Sequence, residues 1–96
     1  MNPAKVVREH TRKLTDLPNI GKALEANLKL LGIEQPENLV GLDPYEMYER
    51  LCAMTGTQQD PCVLDVFISV TRFMAGEAPK PWWAYTAERK NSLAGK

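Results

Sequence analysis

The stretch between residues 15 and 22 contains residue types that can bind a phosphate group. A helix is predicted to begin at Lys22, and Gly21 directly before it has no side chain to cover the helix end. The first N–H groups of a helix lack partners within the helix, and they lie at the positive end of its dipole. The N–H groups of Gly21, Lys22 and Ala23 are therefore expected to form an anion site. The side chains of Lys22 and Lys29 would flank its rim with positive charge.

Prolines and glycines mark the helices that must hold this stretch. Four prolines each directly follow a small polar or amide residue, which is the order expected of an N-cap and the first helical residue. These pairs are Asn2-Pro3, Gln35-Pro36, Asp43-Pro44 and Asp60-Pro61. Glycines stand where a helix would need a left-handed residue just past its end. The predicted helices span residues 3–14, 22–31, 36–40, 44–54 and 61–75.

The fifth predicted helix has the pattern of a central core helix. It is apolar almost all round, and Asp65, Ser69 and Arg72 form a narrow polar stripe at spacings of four and three. Convincing strand alternation is missing from the sequence. We therefore expect one compact all-α domain of about five helices over residues 1–90, followed by a disordered tail at residues 91–96.

A cluster of aromatic residues follows the fifth helix. Residues 77–81 contain two prolines and cannot be helical, and they lead directly to Trp82, Trp83 and Tyr85. One interpretation is a lid that covers the helical core. The other is a platform on which the bases of a single strand stack.

The charge of the 96-residue chain is balanced, with 12 Lys+Arg and 12 Asp+Glu. No overall field therefore draws it to nucleic acid or to a membrane. Residues 1–33 nevertheless carry six basic side chains against three acidic ones, and residues 34–96 carry six against nine. Apolar runs are far shorter than the roughly 18 residues that span a bilayer, and residues 1–13 lack the apolar stretch of a secretory signal. We expect no membrane helix and a cytoplasmic location.

Catalysis is not expected, because no triad, Cys/His pair or pair of catalytic carboxylates is visible. A metal site or other cofactor is not expected either, since His10 is distant in sequence from Cys52 and Cys62. Cys62 in the first turn of the fifth helix admits two interpretations. The helix end could make its thiol reactive, or both cysteines could be buried apolar side chains.

The segment Leu17-Pro18-Asn19-Ile20-Gly21, with residues 22–28, resembles a helix-hairpin-helix element of the Leu-Pro-Gly-Ile-Gly type. Asn19 stands where that family usually has its first glycine. Among residue types other than glycine, asparagine tolerates positive φ best. In that family the hairpin binds a DNA phosphate without reading bases. The resemblance implies a nucleic-acid site at Pro18, Asn19, Gly21, Lys22, Ala23 and Lys29.

A wider resemblance covers about residues 14–90. Residues 41–44, 51–56 and 60–67 and the pair Trp82-Trp83 look like the small bacterial pathogenicity-locus family, some of whose members are labelled mitomycin resistance proteins. The first half is also similar to the helical C-terminal domain of competence-regulator proteins. Both resemblances imply an all-helical fold on a helix-hairpin-helix (SAM-like) core, with a Trp-containing C-terminal extension.

Three functional hypotheses follow. The first is a sequence-independent DNA-binding module that holds a phosphate at the hairpin and is linked to DNA-damage or stress resistance. The alternative is a protein-interaction or self-association module, such as a homodimer, in which the hairpin is only structural. The third is a thiol-dependent resistance role through Cys62.

Overall fold

The computed structural model describes residues 11–94, with side chains to Ser92. This part of the chain is all-helical and has no strands. Three short 3-10 helices span Leu14–Asp16, Pro36–Leu39 and Trp82–Tyr85. The four α-helices are α1 (Lys22–Leu30), α2 (Pro44–Thr55), α3 (Pro61–Met74) and α4 (Thr86–Ala94).

Helices α2 and α3 begin at the caps that the sequence predicts. The Asp43 carboxylate accepts a hydrogen bond from the Tyr45 N–H at 2.9 Å, and the Asp60 carboxylate accepts one from the Cys62 N–H at 3.0 Å. A proline follows each of these caps. Helix α2 ends at Gly56, whose φ of 65° is left-handed. The predicted ranges 22–31, 44–54 and 61–75 are therefore confirmed to within a residue at each end.

The predicted helix over residues 3–14 is wrong in the part that the structure describes. Residues 3–10 lie outside the described part, and residues 11–13 are not helical. The Asp16 carboxylate accepts hydrogen bonds from the N–H groups of Arg12 at 3.0 Å and Lys13 at 3.1 Å. These side-chain bonds hold the backbone in a turn that competes with an α-helix, and they hold the pKa of Asp16 below its usual value. The predicted helix at 36–40 is a 3-10 helix.

The C-terminal segment differs most from the prediction. Residues 91–94 belong to α4 and are not a disordered tail, whereas residues 95–96 lie outside the described part. Helix α4 has few apolar residues, so its sequence lacks the periodicity that indicates a helix packed on a core. Among residues 11–94, the five predicted helices are replaced by four α-helices and three 3-10 helices.

Helix α3 is the central helix, as predicted. Ten of its 14 residues are buried, and among them are Asp65 and Ser69 of the polar stripe. The helix packs against α2, α4 and the 3-10 helices Pro36–Leu39 and Trp82–Tyr85. The apolar face predicted for α1 also packs inward, since Leu28 is buried and Leu24 is partly buried against the core. No helix of the described chain has the length and hydropathy to cross a bilayer.

Candidate nucleic-acid interface

The loop at residues 17–21, called the 17–21 turn below, connects the first 3-10 helix to α1. Its Leu17, Pro18 and Ile20 are buried, and the Ile20 N–H donates a hydrogen bond to the Leu17 carbonyl at 3.4 Å. The apolar side chains of the turn therefore anchor it to the core. Pro18, which the sequence placed in the candidate site, contributes to the shape of the turn and does not present its side chain to solvent.

Asn19 has a left-handed backbone, with φ of 68°. Its side-chain Nδ2 donates hydrogen bonds to Ser69 Oγ at 3.1 Å and to the Lys80 carbonyl at 2.9 Å. Its Oδ1 accepts a hydrogen bond from the Trp82 N–H at 3.2 Å. The amide side chain is therefore used inside the protein and leaves the start of α1 uncovered. The structure gives Asn19 a supporting position, whereas the sequence placed it in the phosphate site itself.

The start of α1, formed by Gly21, Lys22 and Ala23, is open to solvent. All three residues are exposed, and a Cβ placed on Gly21 would meet nothing within 4 Å. Gly21 is the N-cap and supplies no side-chain acceptor. Within residues 11–94, no group accepts a hydrogen bond from the N–H of these three residues. The structure thus brings together the three backbone donors that the sequence predicted.

The side chains around this helix end have mixed charge. Lys22 is exposed at the first helical position, and Glu25 is half-buried in the first turn. Lys29 is exposed in the last turn of α1. At a rise of about 1.5 Å per residue, Lys29 lies about 10 Å along the axis from Lys22. It therefore does not share the rim of the helix end, as the sequence suggested, but lies on the same side of α1 two turns further on.

The polar stripe of α3 holds the C-terminal segment in place. The fully buried Asp65 carboxylate accepts hydrogen bonds from Thr86 Oγ1 at 2.8 Å and Arg89 Nε at 2.6 Å. One turn further along α3, Ser69 Oγ accepts the hydrogen bond from Asn19 Nδ2. Arg72 forms ion pairs with Glu77 at 3.5 Å and with Glu88. The sequence pattern predicts this stripe but does not indicate which residues bond to it.

The aromatic cluster divides into buried and exposed rings. Trp82 packs partly buried against the core, and Tyr85 is 4% exposed. Trp83 is 62% exposed, and its ring meets Trp82 edge to face with centroids 5.5 Å apart. Trp82 and Tyr85 therefore form a lid, which was one of the two sequence interpretations, and Trp83 remains exposed to solvent.

The thiol of Cys62 is half-buried beside the Asp60 carboxylate. Burial raises the pKa of this thiol, and its hydrogen bond and charge interaction with Asp60 raise the pKa further. These effects oppose the helix end, which on its own would favour a thiolate. His10, the other residue weighed for metal or thiol chemistry, lies outside the described residues.

The fold and site define a small all-helical domain, built around one buried helix, with an open N-terminus on α1 and an exposed tryptophan after α3. Residues 7–91 match the protein family described as Pathogenicity locus, and the chain belongs to this family. It is 41% identical over 83 residues to the mitomycin resistance protein McrB of Streptomyces lavendulae, an alignment covering 86% of this chain and 79% of that protein. No solved structure matches the chain.

Proposed function

We propose that this protein binds DNA through the sugar-phosphate backbone, without reading base sequence. The observation that carries the proposal is the open start of α1, where the N–H groups of Gly21, Lys22 and Ala23 are exposed and lack acceptors within residues 11–94. A phosphate oxygen at this position would accept hydrogen bonds from these amides and lie at the positive end of the helix dipole. The 17–21 turn would serve as the hairpin of a helix-hairpin-helix element.

The position of Asn19 supports this proposal. Asparagine replaces the first glycine of the motif, and a side chain directed outward would occupy the space that a phosphate needs. The amide instead bonds to Ser69, Lys80 and Trp82 inside the protein. The turn therefore keeps the left-handed backbone of the motif and an open approach to Gly21.

The charges of α1 define the expected contacts. Lys22 would contact the phosphate held by the helix end, and Lys29 would contact a second one about 10 Å away along the helix. Recognition of about two phosphates predicts weak binding, with a log–log salt slope of about −2. Backbone contacts position a protein on DNA but do not read its sequence. The activity is binding, and the proposal includes no catalytic step or cofactor.

The relative in Streptomyces lavendulae is named a mitomycin resistance protein. For this protein we propose a role in resistance to DNA damage or stress. A protein that binds DNA without sequence preference could reach damaged sites wherever they occur.

Fluorescence anisotropy with a labelled 20-base-pair duplex, at about 50 and 200 mM salt, tests the proposal. We expect salt-sensitive binding that is equal for unrelated sequences and is lost in Lys22→Glu. Arg50→Glu is the matched control, because Arg50 is an exposed cation on α2, in the acidic half of the chain, and the charge change is the same. Binding that depends on base sequence, or an equal loss in both variants, would contradict the proposal. No binding at high micromolar protein would favour a structural hairpin and a protein partner.

A further inference from the structure

Trp83 is a large aromatic side chain that the fold leaves in solvent. The Trp83 side chain is 62% exposed, whereas Tyr85 of the same cluster is buried and Trp82 is partly buried. The Trp83 ring meets the Trp82 ring edge to face, with the two planes nearly perpendicular at 85°. This contact leaves most of the Trp83 side chain in solvent.

The backbone that carries the exposed ring is tied to the turn that precedes α1. Asn19 bonds to the Lys80 carbonyl and to the Trp82 N–H, so its side chain fastens the segment that carries Trp83 to the 17–21 turn. Gly21 follows Asn19 by two residues, and Trp83 follows Trp82 by one. These short links keep the backbones of Gly21 and Trp83 within about 20 Å of each other, a distance that a few nucleotides can bridge.

The charges around Trp83 favour an anionic ligand. Lys80 is exposed and, in the part of the chain that the structure describes, forms no ion pair. The carboxylates of Glu77 and Glu88, which lie within six residues of Trp83 in the sequence, are instead paired with Arg72. An exposed aromatic ring three residues from an unpaired cation offers the combination that proteins use to stack a base and hold its phosphate.

We propose that Trp83 stacks on an unpaired base of single-stranded DNA, with Lys80 on the adjoining phosphate, while the start of α1 holds a phosphate further along the same strand. This inference rests on the proposed DNA binding and specifies its substrate class as DNA with unpaired nucleotides. Bases within a duplex are stacked on each other and do not offer a free face to Trp83. Stacking therefore adds affinity for single strands only.

The test compares a labelled 20-base single strand with the 20-base-pair duplex at about 50 mM salt, by anisotropy. We expect tighter binding of the single strand by the wild type. Trp83→Ala should weaken single-strand binding about 10-fold or more and leave duplex binding unchanged, whereas Trp83→Phe should retain most of the affinity. Met54→Ala is the matched control, because Met54 is 54% exposed but lies near the end of α2, and it should change neither affinity.

A second readout identifies the contact. The single strand should quench part of the intrinsic tryptophan fluorescence of the wild type, and this part should be missing in Trp83→Phe even though that variant still binds. Circular dichroism and thermal melting of each variant establish that it is folded. A loss of duplex binding in Trp83→Ala as large as the loss of single-strand binding would overturn the stacking role.

The outcomes separate this inference from the proposed function. If Lys22→Glu loses both ligands while Trp83→Ala binds them like the wild type, the phosphate site stands and the stacking inference fails. If the single strand binds through Trp83 independently of Lys22, and the duplex does not bind, stacking stands and the phosphate site fails. If neither DNA binds at high micromolar protein, both fail, and binding of a protein partner that is lost in Trp83→Ala would reassign the ring to a protein interface.

Discussion

The Asp65 carboxylate in the second turn of α3 accepts a 2.6 Å hydrogen bond from the Arg89 guanidinium of α4. Asp65 is fully buried, and the Arg89 side chain is 13% exposed. This pair joins the central helix to the last helix across 24 residues of sequence. It also contributes to holding the segment of Trp82 and Trp83, which lies between the two helices, on the core.

Arg89→Ala is expected to destabilise the protein by about 3–5 kcal/mol, because it leaves the buried Asp65 charge with only Thr86 as its partner. Arg72→Ala is the control, since the ion pairs of Arg72 are about 40% exposed and exposed pairs contribute about 1 kcal/mol or less. Urea unfolding measures both free energies. Equal decreases in the free energy of unfolding of the two variants would show that the buried Asp65–Arg89 pair stabilises the protein no more than the exposed pairs of Arg72.

Asn19→Gly and Asn19→Ala separate two contributions of Asn19. Glycine accepts the φ of 68° but removes the three side-chain hydrogen bonds, so Asn19→Gly should destabilise the protein by about 1–3 kcal/mol. Alanine adds the cost of a left-handed backbone, about 1 kcal/mol more. Urea unfolding gives both values. An Asn19→Ala variant as stable as the wild type would contradict the hydrogen bonds and the backbone conformation described above.

Glu25→Gln should strengthen DNA binding about two- to fivefold at 50 mM salt. Glu25 is in the first turn of α1, where its charge repels a phosphate bound at the helix end. The gain should shrink at 200 mM salt, because the screening length falls from about 14 Å at 50 mM to about 7 Å at 200 mM. Anisotropy titrations with the 20-base-pair duplex measure it. Glu49→Gln, which removes an exposed carboxylate from α2, should leave the affinity nearly unchanged.

The Cys62 thiol should react slowly with a disulfide reagent at neutral pH. Burial and the Asp60 carboxylate raise its pKa, so a smaller fraction of the thiol is in the reactive thiolate form at neutral pH. Asp60→Asn keeps a good helix cap and removes the charge, and it should therefore increase the rate at neutral pH. Stopped-flow or absorbance kinetics in a Cys52→Ser background follow Cys62 alone. A fast reaction at neutral pH in this background would support the thiol hypothesis instead.

Local sequence signals were sufficient to predict the positions of α1, α2 and α3. The caps Asp43 and Asp60 and the terminating Gly56 act on neighbours within a few residues, so their meaning does not depend on the rest of the fold. The same is true of the exposed N–H groups at the start of α1, because Gly21, Lys22 and Ala23 lie in one continuous stretch. The left-handed backbone of Asn19 also followed from its place in the motif.

Tertiary structure decided what lies around this site. Helix α4 carries few apolar side chains, and polar bonds to Asp65 and Arg72 hold it on α3, so no periodicity in its sequence could reveal it. The division between a partly buried Trp82 and an exposed Trp83 depends on which ring meets the core. The bond between Asn19 and the Trp82 N–H joins residues 63 positions apart. Contacts over such separations arise only when the whole chain packs, and sequence spacing carries no record of them.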